Sequence, residues 1–330
     1  MNHPRLSDPI PILANRLFLF ACVFTWPLLF VGGLVTTYGV GMAVPDWPTT
    51  FGVNMFLYDF ANSAWGVFIE HGHRLYGSAV GLCLLIVAPF LQFSKRVPGR
   101  VKLAAWLALA GVIVQGVMGG LRVTRISTDL AMVHGCFGQA FFAYLACLTA
   151  WTSRTWAQIG SRQGDFSEPV SVSTKTSTLA TVSMTLVYGQ VVAGAWLRHF
   201  PAPGKLYLHA ILGIVVVVTL TLLTARVRRE PIVRFRGVRI TRTALAGLAH
   251  LQLILGVLAW WVMRPFDGTP KRVTDVAAVL RTVHQANGAL LLAFTAVLAL
   301  WVFRARTAGT TNQSPEFVSE VQELEAACRS

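Results

Sequence analysis

The amino-acid sequence predicts an all-α polytopic membrane protein in which eight transmembrane helices form two pseudo-symmetric four-helix bundles. Three observations support this fold class. The 330-residue chain is 54% hydrophobic and only 13% charged, whereas soluble proteins carry about 25% charged residues. Long apolar runs separated by short polar loops account for this composition. An internal repeat relates the first half of the chain to the second.

The apolar runs have the length of membrane spans. A bilayer core about 30 Å thick requires about 20 apolar residues for each spanning helix. Eight stretches meet this requirement, at roughly 17–37, 66–93, 101–121, 129–152, 177–197, 206–225, 241–263 and 279–303. The predicted organisation is an N-terminal segment (1–16), a first four-helix half (17–152), a linker (153–176), a second four-helix half (177–303) and a polar tail (304–330). No cleavable signal peptide is expected, because the first apolar run is longer than the core of a signal peptide.

The distribution of charge predicts the topology. The net charge is +14, but the Lys and Arg residues lie in loops and form no face suited to nucleic acid. With eight spans both termini lie on one side of the membrane, and the loops of that side carry 19 of the 28 Lys and Arg residues. Loops rich in Lys and Arg stay in the cytoplasm. The sequence therefore predicts a multi-pass protein of the cell inner membrane with both termini cytoplasmic.

The repeat is clearest in pairs of spans that are joined on the outer side of the membrane. Gln115 in the third span is followed 19 residues later by His134, and Gln190 in the fifth span is followed 19 residues later by His209. In the seventh span Gln252 precedes a longer loop and then His284. Each half has an even number of spans, so the repeats share one orientation, related by an axis along the membrane normal.

Four histidines stand near the outer start of the even-numbered spans, one in each: His73, His134, His209 and His284. Each is followed four residues later by a glycine: Gly77, Gly138, Gly213 and Gly288. Residues i and i+4 lie on one helix face, so we expect each glycine to leave bare backbone where a flat macrocycle bound by the histidine can pass. Imidazole is a common axial ligand of heme iron. Two such histidines in each half predict one bis-imidazole heme site in each half.

An alternative applies to any single histidine in a membrane helix, which is more often a polar contact than a ligand. The HxxxG spacing alone can also serve helix packing. His250 in the middle of a span, and His3 and His199 in loops, receive this interpretation. His71 points to another helix face than His73 and is expected to support the site or to belong to the loop. For the other four histidines, occurrence in register with the repeat favours heme ligation.

The first half differs from the second at a ligand position. Glu70 lies three residues before His73 on the same helix face, and Arg74 follows His73. The positions equivalent to Glu70 are Ala131, Leu206 and Arg281. A carboxyl group beside a heme edge can transfer protons, so Glu70 is predicted to be catalytic. The alternative is an ion pair with Arg74 on the helix surface, and the two roles can coexist.

The loop between the first two spans, about residues 38–65, is much longer than the loop between the third and fourth. Long structured loops are usually functional. Asp46, Trp47 and Pro48 predict a tight turn, anchored by an aromatic side chain, that covers a site. Both this loop and Glu70 indicate that the chemistry belongs to the first half.

These residues resemble the heme A synthase family over essentially all eight spans. The resemblance rests on the Glu70-x-x-His73-Arg74 signature, on the glycine-rich run from Gly32 to Gly41 that leads to Trp47 and Pro48, and on a histidine in each even-numbered span. It implies that the C8 methyl of heme O is oxidised to the formyl group of heme A by successive hydroxylations with water-derived oxygen. It also implies that His73 and His134 hold the substrate heme, that His209 and His284 hold a permanent heme b through which electrons leave, and that Glu70 takes part in catalysis.

The resemblance implies partners as well. A heme O donor enzyme and cytochrome oxidase assembly factors are expected, and a homo-oligomer is left open. The chain departs from the family at one point, since some members carry a cysteine pair in the first outer loop at about the positions of Val44 and Thr50. The five cysteines here are scattered without CxxC or CxxCH spacing, so a metal cluster, a c-type heme and a disulfide framework are not expected.

Arginines near the outer ends are candidates for binding the heme propionates, because Arg forms charge-assisted pairs with carboxylates. They are Arg74, Arg122, Arg125, Arg198 and Arg264. The alternative for these side chains is ordinary anchoring at the membrane surface.

Two other functions stay open from sequence. A non-enzymatic di-heme membrane cytochrome b would also use paired histidines, but such proteins usually place two histidines on one helix, towards opposite faces of the membrane. A transporter would suit a repeat, but it predicts broken helices and a polar midplane, whereas these spans are largely apolar at that depth.

Overall fold

The computed structural model describes residues 12–160, 170–262 and 273–311. The helices are α1 (Ile12–Thr37), α2 (Trp65–Phe93), α3 (Gly99–Thr124), α4 (Thr128–Trp151), α5 (Arg154–Gly160), α6 (Thr174–His199), α7 (Pro203–Val227), α8 (Arg236–Val262) and α9 (Asp275–Thr311). All except α5 are long and apolar enough to span a membrane. The predicted eight spans are therefore confirmed, and the short α5 lies in the predicted linker.

The helices extend beyond the predicted spans by up to several residues. Helix α1 begins at Ile12, inside the predicted N-terminal segment, and α9 continues to Thr311, inside the predicted tail. Hydropathy marks only the length that crosses hydrocarbon, whereas helical hydrogen bonds continue into the interface. Local signals set other ends: the side-chain oxygens of Ser127 and Ser173 accept hydrogen bonds at the starts of α4 and α6.

Each half closes into a ring of four helices. In the first half α1 packs on α2, α2 on α3, α3 on α4 and α4 on α1; in the second, α6 to α9 repeat this order and α9 packs on α6. The halves meet through α1, α4, α6 and α9. Helix α9 is the most enclosed span, with 67% of its apolar window buried, against 17% in α7 and α8. The two four-helix bundles predicted from the repeat are confirmed.

The tightly packed core lies towards the side of the membrane where α1 begins and α9 ends, called here the terminal face. The largest fully buried apolar side chains of the spans are Phe18, Leu84, Leu91, Leu145, Leu220, Leu223, Leu245, Leu292 and Leu298. They stand in the middle of their helices or towards that face. The opposite ends of the spans, called here the outer face, instead carry the four repeat histidines.

The long loop between α1 and α2 folds into a hairpin at its centre. Strands β1 (Thr49–Thr50) and β2 (Val53–Asn54) are antiparallel. The turn between them places both Phe51 and Gly52 at positive φ, 51° and 76°, which is the pattern of a type I′ turn. The Asp46 carboxylate accepts hydrogen bonds from the backbone N–H groups of Phe51 and Gly52, at 2.8 and 2.9 Å. The tight turn thus lies after the Asp46–Pro48 segment, which supports it.

Candidate functional site

All four repeat histidines lie at the outer face. Each stands six to nine residues after the first residue of its helix: His73 in α2, His134 in α4, His209 in α7 and His284 in α9. Within each ring the two histidine-bearing helices are diagonal to each other, because α1 and α3 lie between α2 and α4, and α6 and α8 lie between α7 and α9. The side chains therefore project towards the centre of each bundle from opposite sides.

The second pair has the spacing of two ligands on one iron. The ring centroids of His209 and His284 are 6.1 Å apart and the rings are nearly perpendicular, at 80°. An imidazole nitrogen lies about 2 Å from a metal that it binds and the ring centre about 1 Å further, so two imidazoles on one iron have centres roughly 6 Å apart. The Nδ1 atom of His209 is also buried without a hydrogen-bond partner among the described residues. This pair fits a heme iron.

The first pair stands on the equivalent diagonal helices of its own bundle. His73 and His134 lie close enough for an electrostatic interaction between their imidazoles. The Nδ1 atom of His73, like that of His209, is buried and has no hydrogen-bond partner in the described part of the chain. The residues of the first half therefore also fit a group that two imidazoles hold.

A glycine on the preceding helix makes room for each histidine ring. A Cβ atom added at Gly32, Gly119, Gly194 or Gly256 would lie 3.0, 3.0, 2.9 or 3.2 Å from Cε1 of His73, His134, His209 or His284, respectively. Sequence reasoning missed this role. The signal was present, because Gly119, Gly194 and Gly256 each follow a repeat glutamine by four residues.

The predicted role of the glycines after the histidines is wrong in three of four cases. A Cβ at Gly138, Gly213 or Gly288 would lie 2.8, 3.1 or 3.2 Å from Nε2 of Gln115, Gln190 or Gln252. These glycines therefore accommodate a glutamine of the neighbouring helix and do not leave bare backbone. The glutamine amides in turn hold the ligand-bearing backbone, since Gln115 and Gln190 donate to the carbonyls of His134 and His209 at 2.9 and 2.8 Å.

The helix pair α1 and α2 lacks this glutamine–glycine contact. Helix α1 carries Leu28 at the position of the glutamines, four residues before Gly32. A Cβ at Gly77 would have no neighbour within 4 Å. The expected open patch below a ligand histidine is thus present next to His73.

Glu70 and Arg74 tie the long loop to α2. Their side chains form an ion pair at 2.9 Å, and the other Glu70 oxygen accepts a hydrogen bond from the Val44 N–H at 2.9 Å. Arg74 also donates to the carbonyls of Val44 and Asp46, at 2.7 and 2.6 Å. Glu70 is only 2% exposed. The ion pair weighed from sequence is confirmed, and proton transfer by Glu70 stays a prediction.

The same loop covers the outer end of the first bundle. The Trp47 indole packs directly on Gly120 of α3, where any side chain would collide with it. The carbonyl of Gly41 accepts a hydrogen bond from Arg122. Burial would raise the pKa of Asp46, but hydrogen bonds from Gly52, Thr49 and Phe51 outweigh it and lower this pKa to about 2. The loop is therefore anchored at both α2 and α3.

The candidate propionate partners lie in different surroundings. Arg122 interacts electrostatically with His73, His134 and Glu70, whereas Arg125 is exposed at the end of α3. Arg264 lies outside the described residues. The role of each in binding propionates stays a prediction.

Arg198 reaches from the second half into the first. Its guanidinium donates to Gln285, next to His284, and to Thr37 and the carbonyl of Gly33 in α1. Arg281 lies one turn before His284, and its positive charge interacts electrostatically with that of Arg198. Sequence reasoning treated Arg281 only as the counterpart of Glu70 and missed it as a cation beside the second pair.

Two further histidines match their sequence interpretation. His71 lies in α2 and is fully buried against the loop: its Nδ1 lies 3.0 Å from the Thr50 hydroxyl and its ring packs on Tyr58 and Phe60. His250 is exposed and its Nδ1 lies 2.7 Å from the carbonyl of Ala246.

A family model described as cytochrome oxidase assembly protein, COX15-CtaA, matches residues 15–206. The chain belongs to this family. Members of the COX15-CtaA family are heme A synthases, oxidoreductases that act in the assembly of cytochrome oxidase. No curated protein matches the chain.

The COX15-CtaA match includes the first bundle from residue 15 onwards, with Glu70, His73, Arg74 and His134, and ends three residues before His209. The second pair of histidines therefore rests on the internal repeat and on its own geometry. The 6.1 Å spacing joins two residues that lie beyond the end of the match, so it supports the second site independently of the family.

Proposed function

We propose that this member of the COX15-CtaA family is a heme A synthase that oxidises the C8 methyl of heme O to a formyl group with water-derived oxygen. Heme O is the substrate and is held by His73 and His134. His209 and His284 would hold a permanent heme b, through which the electrons would leave one at a time to an acceptor outside this chain. The observation that carries the proposal is that two diagonal histidine pairs lie at one face and that the long loop between α1 and α2 is anchored over the first of them.

The chain's own residues meet several needs of this reaction. Converting a methyl to a formyl group with water as the oxygen source releases four electrons and four protons. Glu70, beside His73, is the buried carboxylate that can accept protons, and the loop anchored by Arg74 excludes bulk water from the first pair. Arg122, close to both histidines, provides positive charge for a propionate.

The difference between the two pairs supports a division into substrate and cofactor. The backbone at His209 is held by a glutamine and a close-packed glycine, which suits a resident heme. Next to His73 the glutamine is replaced by Leu28 and the face at Gly77 is open. An open face suits a ligand that must enter as heme O and leave as heme A.

The proposal includes the location of the protein and its partners. The chain is a multi-pass membrane protein, for which we propose the cell inner membrane, and the excess of Lys and Arg on the terminal face supports cytoplasmic termini. An enzyme that supplies heme O and factors of cytochrome oxidase assembly are the expected partners.

The rival function is a non-enzymatic di-heme cytochrome b. Both pairs lie at the outer face, so electrons passing between them would not cross the membrane, which disfavours this rival. The test is pigment extraction from purified protein produced in cells that make heme O. Heme A or heme O beside heme B supports the synthase, heme B alone supports the carrier, and a protein without heme contradicts both.

Glu70→Gln separates the enzyme from the carrier. If Glu70 moves protons, the variant should keep the fold and both hemes but lose heme A formation by about 10²–10⁴-fold, as expected for a general acid–base group. Glu230→Gln is the matched control, because Glu230 is bound by Ser173 and Thr176 at the terminal face. Arg74→Gln removes the ion pair and the loop anchor but keeps the Glu70 carboxylate, so equal activity losses in Glu70→Gln and Arg74→Gln would contradict the proton-transfer role.

A further inference from the structure

A cavity of about 450 Å³ opens at the terminal face, where α7 ends and α8 begins. It lies at the opposite side of the membrane from the histidine pairs. Its lining residues are Thr221, Thr224, Ala225, Arg228, Arg229 and Arg242. The proposed heme chemistry makes no use of it.

Positive charge in this cavity is not neutralised by the described residues around it. Three of the six lining residues are arginines and none is acidic. None of the three forms an ion pair with any residue in 12–160, 170–262 or 273–311, and Nε of Arg242 is buried without a hydrogen-bond partner there. Glu230, the nearest acid in sequence, is instead bound to Ser173 and Thr176 at the start of α6. The cavity is therefore built for an anion.

The faces of α7 and α8 that run from the cavity into the membrane carry exposed apolar side chains. Helices α7 and α8 are the least buried spans together, and Val218 and Leu222 of α7 and Leu251 and Ile254 of α8 are exposed towards the lipid. Basic pockets between membrane helices on the cytoplasmic side bind phosphate-containing lipid headgroups. An anion that also offers long apolar chains to these helix faces is an anionic phospholipid.

We propose that the cavity binds the phosphate headgroup of one anionic phospholipid of the adjacent leaflet. Arg228, Arg229 and Arg242 pair with the phosphate oxygens, for which the planar guanidinium is well suited. The acyl chains lie along the exposed faces of α7 and α8. The hydroxyls of Thr221 and Thr224 donate to backbone carbonyls, so recognition depends on negative charge and does not depend on the rest of the headgroup.

The proposal is tested by thermal unfolding of the purified full-length protein in detergent. Phosphatidylglycerol should raise the unfolding midpoint, whereas phosphatidylcholine and inorganic phosphate at the same concentration should not. Each arginine near a membrane surface contributes about fivefold to the binding of an anionic lipid. The triple variant Arg228→Gln, Arg229→Gln and Arg242→Gln should therefore need roughly 100-fold more phosphatidylglycerol for the same shift.

A matched control removes the same charge from the same face outside the cavity. Arg226, Arg236 and Arg239 are exposed and do not line it, so their triple change to Gln should leave the lipid response as in the unchanged protein. Three results would overturn the proposal: an equal loss in this control, a full response in the cavity variant, or a full response to inorganic phosphate alone.

Native mass spectrometry of the unchanged protein gives a second measurement that needs no variant. One retained phosphatidylglycerol per chain is expected after delipidation and titration. Retention of none, or equal retention of phosphatidylcholine, contradicts the site even where the triple variant does not fold. Neither measurement depends on heme A formation, so the site and the proposed enzyme function can fail separately.

Discussion

Changing Gly194 to Ala tests directly whether the glycines on the helices that precede the histidine-bearing helices position the heme ligands. The added Cβ would lie 2.9 Å from Cε1 of His209, while ordinary van der Waals contact begins at 3.4 Å. The imidazole must therefore retreat by about 0.5 Å, whereas metal–ligand distances tolerate only about 0.2 Å. The contact is with the imidazole that we propose as an iron ligand, so bond formation at this ligand should suffer.

Overpacking of this kind costs about 1–3 kcal/mol, which corresponds to a loss of roughly 5- to 150-fold in the affinity of the second site for heme. The protein should still fold, because one methyl group is small against the packing of eight spans. We expect the purified Gly194→Ala variant to show reduced heme b content and a weaker low-spin ferric signal by absorption and electron paramagnetic resonance.

Two matched variants make the test quantitative. At Gly189, in the same helix, an added Cβ has no neighbour within 4 Å, so Gly189→Ala should leave the heme unchanged. At Gly256 the contact with His284 is 3.2 Å, so Gly256→Ala should have a smaller effect than Gly194→Ala. A folded Gly194→Ala protein with the full low-spin signal would refute the reasoning.

Three other predictions concern the second pair, the loop and the topology. His209→Ala or His284→Ala should remove the low-spin heme b while the first bundle stays folded; an unchanged bis-imidazole spectrum in the double variant would rule out these ligands. The pKa of Asp46, about 2, is below the usual value near 3.9, so the carboxylate anchors the loop fully above pH 4 and loses this role as the pH falls towards 2. Asp46→Asn should therefore speed pepsin cleavage of the loop at pH 3.5, and equal cleavage rates in the variant and the unchanged protein would contradict this. In a background without native cysteines, an impermeant thiol reagent should label Asn54→Cys but not Val233→Cys in intact cells, and the reverse would invert the topology.

The parts of the fold that were predictable are those encoded by hydropathy and by residue spacings that recur along the chain. Bilayer thickness fixes the length of a span, and the spacing between Gln115 and His134 recurs between Gln190 and His209. Span number, pairing and the outer position of the histidines follow from these local patterns. The helix ends were less predictable, because α1 begins at Ile12, outside the most apolar stretch.

Contacts between helices were the main source of error. The spacing of Gly138 from His134 shows that they share a face, but it does not show which neighbouring side chain meets that face. That side chain is Gln115. The reach of Arg198 to Gly33 likewise depends on how the two bundles dock, and the turn at Phe51 carries a residue that is unusual at positive φ.

The contacts around the four histidines differ between the helix pairs, and this difference supports the proposed division into a substrate site and a cofactor site. The units built from α3–α4, α6–α7 and α8–α9 all place a glutamine against a glycine of the ligand helix and a glycine against the histidine ring. The unit built from α1 and α2 keeps only the second contact, at Gly32, and has Leu28 and an open face at Gly77.

That one unit also carries the ion pair and the loop. The His73 backbone lacks the glutamine that fixes the other ligand helices, and Glu70 and Arg74 hold the loop across its outer end. A site that holds one heme permanently gains from four fixed contacts, whereas a site that exchanges heme O for heme A must release its ligand. The glutamine contact is missing at His73, the histidine beside the buried carboxylate Glu70. This absence supports the proposal that the first site exchanges its heme and that the second site holds its heme permanently.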